Sequence, residues 1–252
     1  MAVDVVVTNY KTPDLLQDFI ASYEAHKFPG CHLTIVDVSP EAPALYPHEH
    51  TYIAKGENIG YGRACNLGAQ MGHNDVILLA NADTLLTSGL AECYDALVAN
   101  EDWGVLGPRQ IDEQGRLSWG GIFGPDTAPA HRGWQEFDVG QYTDVRDDGP
   151  MVNGSLLFTK RALWEELATC PTYTEHWPGS SGPFLETTHY YEETWYCYHA
   201  RAHGAKCIYY GAVTMTHLWH KASAPGGWAD QQQPVSMAKY QAACKAHKIV
   251  CG

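Results

Sequence analysis

The stretch Val76-Ile77-Leu78-Leu79-Ala80-Asn81-Ala82-Asp83-Thr84 decides how this chain is read. Its apolar run is too short for a helix and has no polar alternation, so it predicts a strand buried on both faces. The run stops at Asn81 and Asp83, two oxygen-bearing side chains at the strand's carboxyl end. In open α/β sheets that is where ligands sit. Residues two apart on a strand point the same way, so both side chains face one site. A carboxylate with a carboxamide beside it suits a hard cation carrying phosphate, such as Mg²⁺ or Mn²⁺. The alternative is an Asx cap on a turn that leads to a helix at Ser88.

Strands and helices alternate on either side. Val3 to Val7 is a second β-branched run, ending in Thr8-Asn9-Tyr10, and Thr12-Pro13-Asp14 opens a helix with a cap, a first-turn proline and an acid. Leu15, Leu16, Phe19, Ile20 and Tyr23 mark one face of that helix. Leu33 to Val38 predicts a third strand carrying Asp37, and strand, helix, strand implies a parallel pair with a right-handed crossover. Thr51 to Ala54 is a shorter strand, followed by a loop, Asn58-Ile59-Gly60-Tyr61-Gly62-Arg63, that runs into a helix. Gly60 and Gly62 allow backbone to approach a ligand, and a helix N-terminus favours anions. The dinucleotide fingerprint is not completed, and a tight turn is the alternative reading.

Beyond the central stretch, Leu90, Tyr94 and Leu97 line a helix, Trp103 to Leu106 resumes a strand, and Asp112 to Arg116 reads as a hairpin turn. Trp119 to Gly149 is a long excursion over the mouth of the sheet. Met151 to Phe158 predicts a strand containing Asn153-Gly154-Ser155, with a helix from about Arg161. Cys170 to His189 is too rich in proline and glycine for regular structure, and loops of that length are usually functional. It feeds Tyr190-Tyr191-Glu192-Glu193, the start of a helix to about His203, whose acids also suit the helix dipole. Lys206 to Val213 is a last strand, ending in Thr214-Met215-Thr216-His217. A glycine-proline linker at 224–227 and a short helix from Ser236 to Lys248 form a tail.

Composition narrows the classes. At 252 residues, 45% hydrophobic and 18% charged, the chain forms one domain or two small lobes with a full core. A net charge of −13 argues against non-specific binding to nucleic acid or anionic membrane. A phosphorylated ligand is still admitted, since one cation and a few N–H groups can hold a diphosphate. No window is long and apolar enough to span a membrane, and the N-terminus lacks a basic region, so a cytoplasmic protein is expected. The eight cysteines are scattered singly and are expected reduced.

In order, these stretches resemble the inverting nucleotide-sugar glycosyltransferases of family two, which have the GT-A fold, and among them the rhamnosyltransferase-like and cell-wall or O-antigen branch. Val5 to Pro13 resembles the family's opening strand and nucleotide loop, and Ile35-Val36-Asp37-Val38-Ser39 its "V-D-N-S" segment. Asn58 to Asn66 is similar to "N-x-G-F-A-x-A-x-N", and Leu78 to Thr84 to "L-L-N-P-D-T". Gly107-Pro108, Gly154-Ser155, Tyr191-Glu192-Glu193 and His217 follow in the family's order. The resemblance covers residue 3 to about 223. It implies a mostly parallel, Rossmann-like α/β sheet with flanking helices, a single domain of two abutting lobes. A nucleotide-sugar half at 1–110, an acceptor half at 111–223 and a tail at 224–252 are expected.

The resemblance also implies roles. Thr8, Asn9, Tyr10, Asp37, Asn58, Gly60, Arg63, Asn81 and Ala82 would meet the donor, while Asp83 and His217 would hold Mn²⁺ or Mg²⁺. Glu193 would be the general base, with Glu192 as competitor. The family's "E-D-x-D" appears here as Glu192-Glu193-Thr194-Trp195, so glutamate replaces the usual aspartate and Trp195 a second acid. The acceptor is a glycan, a lipid-linked sugar, a protein or a modified nucleobase.

His199 and His203, four apart on one helix, can bind zinc or simply form a polar face. His220 is a candidate phosphate partner, and Trp119, Trp134, Trp177, Trp195 and Trp219 are candidates for stacking on an acceptor sugar. Rival functions are a sugar-nucleotide-binding protein that has lost catalysis and a nucleotidyltransferase. The latter normally carries a glycine-rich, lysine-bearing loop near its N-terminus, which Thr8 to Thr12 is not.

Overall fold

The structure, a computed structural model, describes residues 1–41, 50–125, 129–218 and 228–248. Trp219, His220 and the 224–227 linker lie outside the described residues. The first half alternates as expected: β1 (Val3–Asn9), α1 (Pro13–His26), β2 (Cys31–Asp37), β3 (Thr51–Ala54), α2 (Tyr61–Ala69), β4 (Val76–Asn81), β5 (Thr84–Leu85) and α3 (Gly89–Ala99). Then come β6 (Trp103–Ile111), β7 (Leu117–Trp119), β8 (Ile122–Phe123), β9 (Ala130–His131), β10 (Val145–Arg146), β11 (Leu156–Lys160), α4 (Arg161–Ala168) and α5 (Pro171–His176). The chain finishes with α6 (Glu192–Ala202), β12 (Lys206–His217) and α7 (Trp228–His247).

The main sheet runs β10-β12-β6-β11-β4-β1-β2-β3, with β5 and β7 paired to β12 and β6. Strands β1 to β4, β6 and β12 share one direction, and β11 runs against them between β4 and β6. The carboxyl ends of β1, β4 and β12 and the start of β11 therefore lie on one edge. Alternate residues of the central strands feed two cores. Val3, Val5, Val7, Leu78 and Ala80 pack with α1 and α3, while Val6, Ile77 and Leu79 pack with α2, α4 and α6. Burial on both faces explains the unbroken apolar runs of β1 and β4.

Several elements differ from expectation. Strand β6 continues to Ile111, beyond the expected Trp103–Leu106; Pro108 is accommodated where the pairing with β12 shifts register between Tyr210 and Thr214. The expected strand from Met151 begins only at Leu156, because the Asn153 carboxamide accepts a hydrogen bond from the Ser155 N–H at 2.9 Å and turns the chain. Helix α7 starts at Trp228, ahead of Pro234, and is longer than the predicted Ser236–Lys248 segment. It packs on Tyr173, Leu185 and Trp195 through Tyr240 and Ala243, so the tail belongs to the same body. Six described cysteines are free thiols, but Cys244 is disulfide-bonded, against the expectation for all eight. Among the described residues no helix is long and apolar enough to cross a membrane.

One buried ion pair ties the first strand to the second half. Asp4, 2% exposed in β1, accepts hydrogen bonds from Arg161 Nη2 at 2.7 Å and from the Asn74 N–H and Nδ2 at 2.8 Å each. Arg161 also caps loop carbonyls at Asn74 and Ala69. Removing the carboxylate would leave the largely buried guanidinium with only the more distant, exposed Glu165 carboxylate, 3.8 Å away. Asp4→Ala should therefore cost about 3 kcal/mol and lower the thermal midpoint by roughly 6–12 °C in a melting experiment.

Candidate active site

At the carboxyl edge of the sheet lies a cleft of about 610 Å³. Thr8, Asn9, Tyr10, Asn58, Asn81, Ala82, Asp83, Glu192, Glu193 and His217 all line it. Asp37, Gly60 and Arg63 do not line it. The three have separate reasons. Asp37 is fully buried, accepting from Asn9 Nδ2 at 2.9 Å, from the Ser39 N–H at 2.8 Å and from the Tyr52 hydroxyl at 3.4 Å. Its carboxylate thus clamps the ends of β1 and β2 and shapes the loop from below. Gly60 is buried against Thr187 and Thr188, and the Tyr61 N–H donates to the Thr188 carbonyl at 3.1 Å. Arg63 points outward and is exposed.

The floor is built where β4 ends. The Asn81 N–H donates to the Ser155 carbonyl at 3.0 Å, and the Thr84 hydroxyl to the Asn81 carbonyl at 2.8 Å. Strand β5 then pairs with the end of β12, Thr84 opposite His217 and Leu85 opposite Thr216. The Leu218 N–H donates to the Asp83 carbonyl at 2.7 Å, which locks this register. As a result His217 Nε2 stands 3.5 Å from Asp83 Oδ1, both side chains being buried. Among the described residues, His217 Nδ1 and Asn81 Oδ1 have no hydrogen-bond partner. A carboxylate and an imidazole nitrogen this close, with a carboxamide oxygen at the strand tip, are a donor set that fits a divalent cation.

Across the cleft stands the acid pair. Tyr190 and Tyr191 both adopt left-handed backbone, φ +74° and +72°, turning the chain sharply into α6. Glu192 and Glu193 follow in its first turn. Glu192 is 1% exposed and packs on Gly62, where a Cβ would meet the Leu185 carbonyl at 2.3 Å and Glu192 Cγ at 2.9 Å. Glu193 is half-buried against Gly154, where a Cβ would lie 3.2–3.3 Å from its Cβ, Cγ and Cδ. Burial, with the Glu193 charge adding to it, pushes the Glu192 carboxyl up to about 8. Burial also raises Glu193, while N–H groups of the first turn oppose it. Two adjacent carboxyls resist ionising together, and burial favours the protonated form of both, of Glu192 most clearly.

The cleft also contains residues to which the sequence assigns no site role. Tyr61 spans it, its hydroxyl donating to the Gly154 carbonyl at 2.6 Å, and Asn153, Ser155 and the Thr188–Tyr190 segment complete its walls. Gly154-Ser155 was legible as part of a strand; its role as an Asx-turn lip was not. Of the five tryptophans, only Trp134 among the described residues lines the cleft, 40% exposed and with its ring 4.9 Å from that of His131. Trp119 and Trp195 are core, and Trp177 packs beneath α7. His199 and His203 lie away from the cleft. His203 Nδ1 is 2.8 Å from Glu166 Oε1, and burial, with His247 and His203 adding to it, pushes His199 down to about 3.

No protein-family model and no curated protein matches this sequence. Solved structures do match. The mannosyltransferase PcManGT from Pyrobaculum calidifontis, in complex with GDP-Man and Mn²⁺, aligns with a TM-score of 0.60 at 15% identity, over 95% of this chain and 63% of that one. Residues 1–349 of S. aureus TarS align with a TM-score of 0.57 at 11% identity, over 97% and 72%. GalNAc-T7 with UDP, GalNAc and Mn²⁺ gives 0.67 at 13% identity, over 97% of this chain and 48% of that one. The chain thus spans less than two thirds of the mannosyltransferase and about half of GalNAc-T7. At these identities the likeness establishes the fold: the chain has the GT-A fold, with its mostly parallel α/β sheet in one domain.

The raised Glu192 carboxyl has a stability consequence with a definite sign. The folded state favours the protonated form, so this stabilisation is full below the ordinary value of 4.5 and is lost as pH rises through about 8. Glu192→Gln removes the titration. Thermal melts should find the variant and wild type alike near about pH 4 and the variant ahead by on the order of 5 kcal/mol above about pH 8. A difference independent of pH would contradict the assignment.

Proposed function

We propose that this protein is an inverting glycosyltransferase that moves a sugar from a nucleoside-diphosphate sugar to a hydroxyl acceptor. The observation that carries the reading is a single cleft with Asp83 and His217 on one wall and the Glu192–Glu193 pair on the other. The structural neighbours support it, since two of the three were solved with Mn²⁺ and a nucleotide or nucleotide sugar. The sequence resemblance adds the rhamnosyltransferase-like, cell-wall or O-antigen branch as the source of the acceptor class.

In this reading Thr8, Asn9 and Tyr10 at the end of β1, with Asn58, receive the nucleotide, in a loop that Asp37 holds in shape. Asn81 and Ala82 lie beneath the diphosphate. Asp83 and His217 would hold Mn²⁺ or Mg²⁺, which when bound offsets the charge on the departing diphosphate. Glu193 accepts the proton from the attacking hydroxyl. Direct attack on the face opposite the leaving group inverts the anomeric carbon and needs no covalent sugar intermediate. Trp134, exposed at the rim, offers a stacking surface for an acceptor.

A thermal-shift and donor-hydrolysis panel tests the proposal, using UDP-, dTDP- and GDP-sugars with and without Mn²⁺. One nucleotide should stabilise the wild type in a Mn²⁺-dependent way, and Asp83→Ala should lose that dependence. Glu193→Ala should keep donor binding and lose hydrolysis by roughly 10²–10⁴-fold. No stabilisation by any nucleotide, with or without Mn²⁺, would overturn the reading.

A further inference from the structure

About two turns along α6 from Glu192, three metal-ligating side chains converge from three separate elements. Cys170 immediately precedes α5, His199 sits in the middle of α6, and His247 is the last residue of α7. One ligand atom from each lies within 4.8 Å of the other two. Cys170 is a free, half-buried thiol and His247 is half-buried, while His199 is 1% exposed. Among the described residues neither ring nitrogen of His199 has a hydrogen-bond partner. An imidazole buried with both nitrogens unsatisfied costs stability and calls for a ligand.

We propose that Cys170, His199 and His247 form a structural site for a zinc-class cation, pinning the C-terminal helix to the helix that carries Glu192 and Glu193. One thiolate and two imidazoles are a donor set for Zn²⁺ and disfavour Mg²⁺ or Ca²⁺, which take oxygen. Tetrahedral coordination at ordinary Zn–S and Zn–N lengths puts ligand atoms roughly 3.4–3.6 Å apart. Side-chain rotation closes the remaining gap. On ligation the Cys170 thiol releases its proton to solvent, and water takes the fourth position on the half-exposed side. The rings of Trp195, 4.9 Å from His199 and 4.7 Å from His247, and of Trp177, stacked 5.9 Å from His247, provide an apolar collar. His203, one turn on, places its ring 5.0 Å from His199 and is engaged by Glu166. The site is independent of the cleft's assigned chemistry.

Titration of the chelator-treated full chain with Co²⁺, followed by Zn²⁺, tests this. The wild type should take up about one equivalent with a thiolate-to-cobalt charge-transfer band, which zinc abolishes. An ion held by Asp83 and His217 cannot produce that band, because that pair contains no sulfur. Saturating zinc should raise the melting midpoint by roughly 5–10 °C. Since His199→Ala risks misfolding, Cys170→Ser and His247→Gln, both at half-buried positions, are the informative variants, with circular dichroism as a check on folding. Both should fold, the former should lack the band, and each should gain less zinc stabilisation than the wild type, keeping only what the Asp83–His217 pair supplies. Absence of the band in the wild type, or unchanged zinc stabilisation in both variants, would overturn the proposal.

Discussion

The site depends on one short piece of pairing, in which Thr84 and Leu85 lie antiparallel to His217 and Thr216. It joins the end of β4 to the end of β12, and so the two halves of the chain. A slip of one residue would turn His217 to the opposite face of the sheet and separate it from Asp83. The register is held from both sides. The Leu218 N–H binds the Asp83 carbonyl, and the Asn81 N–H binds the Ser155 carbonyl on the neighbouring antiparallel strand. Strand β4, buried on both faces, has no freedom to shift beneath them.

The opposite wall is expensive to build. Glu192 is withheld from water and Glu193 half-buried at the start of α6, and two consecutive tyrosines are left-handed to aim them. Backbone strain of that kind costs on the order of 1–3 kcal/mol per residue and persists only where the surroundings enforce it. Here the enforcement is visible. Gly62 and Gly154 leave room for the two acid side chains, Thr187 donates to the Tyr190 carbonyl at 3.0 Å, and the Tyr191 ring stacks on Tyr240 of α7 at 5.2 Å. The C-terminal helix therefore supports the acid pair from behind. A cation at Cys170, His199 and His247 would strengthen the same support.

Much of this was legible in the sequence, for physical reasons. Buried parallel strands announce themselves as apolar runs, so β1, β2 and β4 were found, and with them the tips carrying Thr8, Asn9, Asn81 and Asp83. What local pattern cannot carry was missed. Tyr190 and Tyr191 have no composition signal for left-handed backbone, since glycine or asparagine is the usual occupant. Strand β6 runs on through Pro108, where its pairing with β12 shifts register, and α7 runs through Pro234, held by its packing on Tyr173, Leu185 and Trp195. Asp37 and Arg63 were assigned donor contacts from their motifs. Only the folded geometry reveals that the former faces inward and the latter outward.

A crystal structure with Mn²⁺ and the nucleoside diphosphate selected by thermal shift tests the central claim most directly. The account predicts the ion within coordination distance of Asp83 Oδ and His217 Nε2 and bridged to the diphosphate, with Glu193 facing the open position left for the sugar. A nucleotide bound outside this cleft, or an ion there that touches neither Asp83 nor His217, would contradict it.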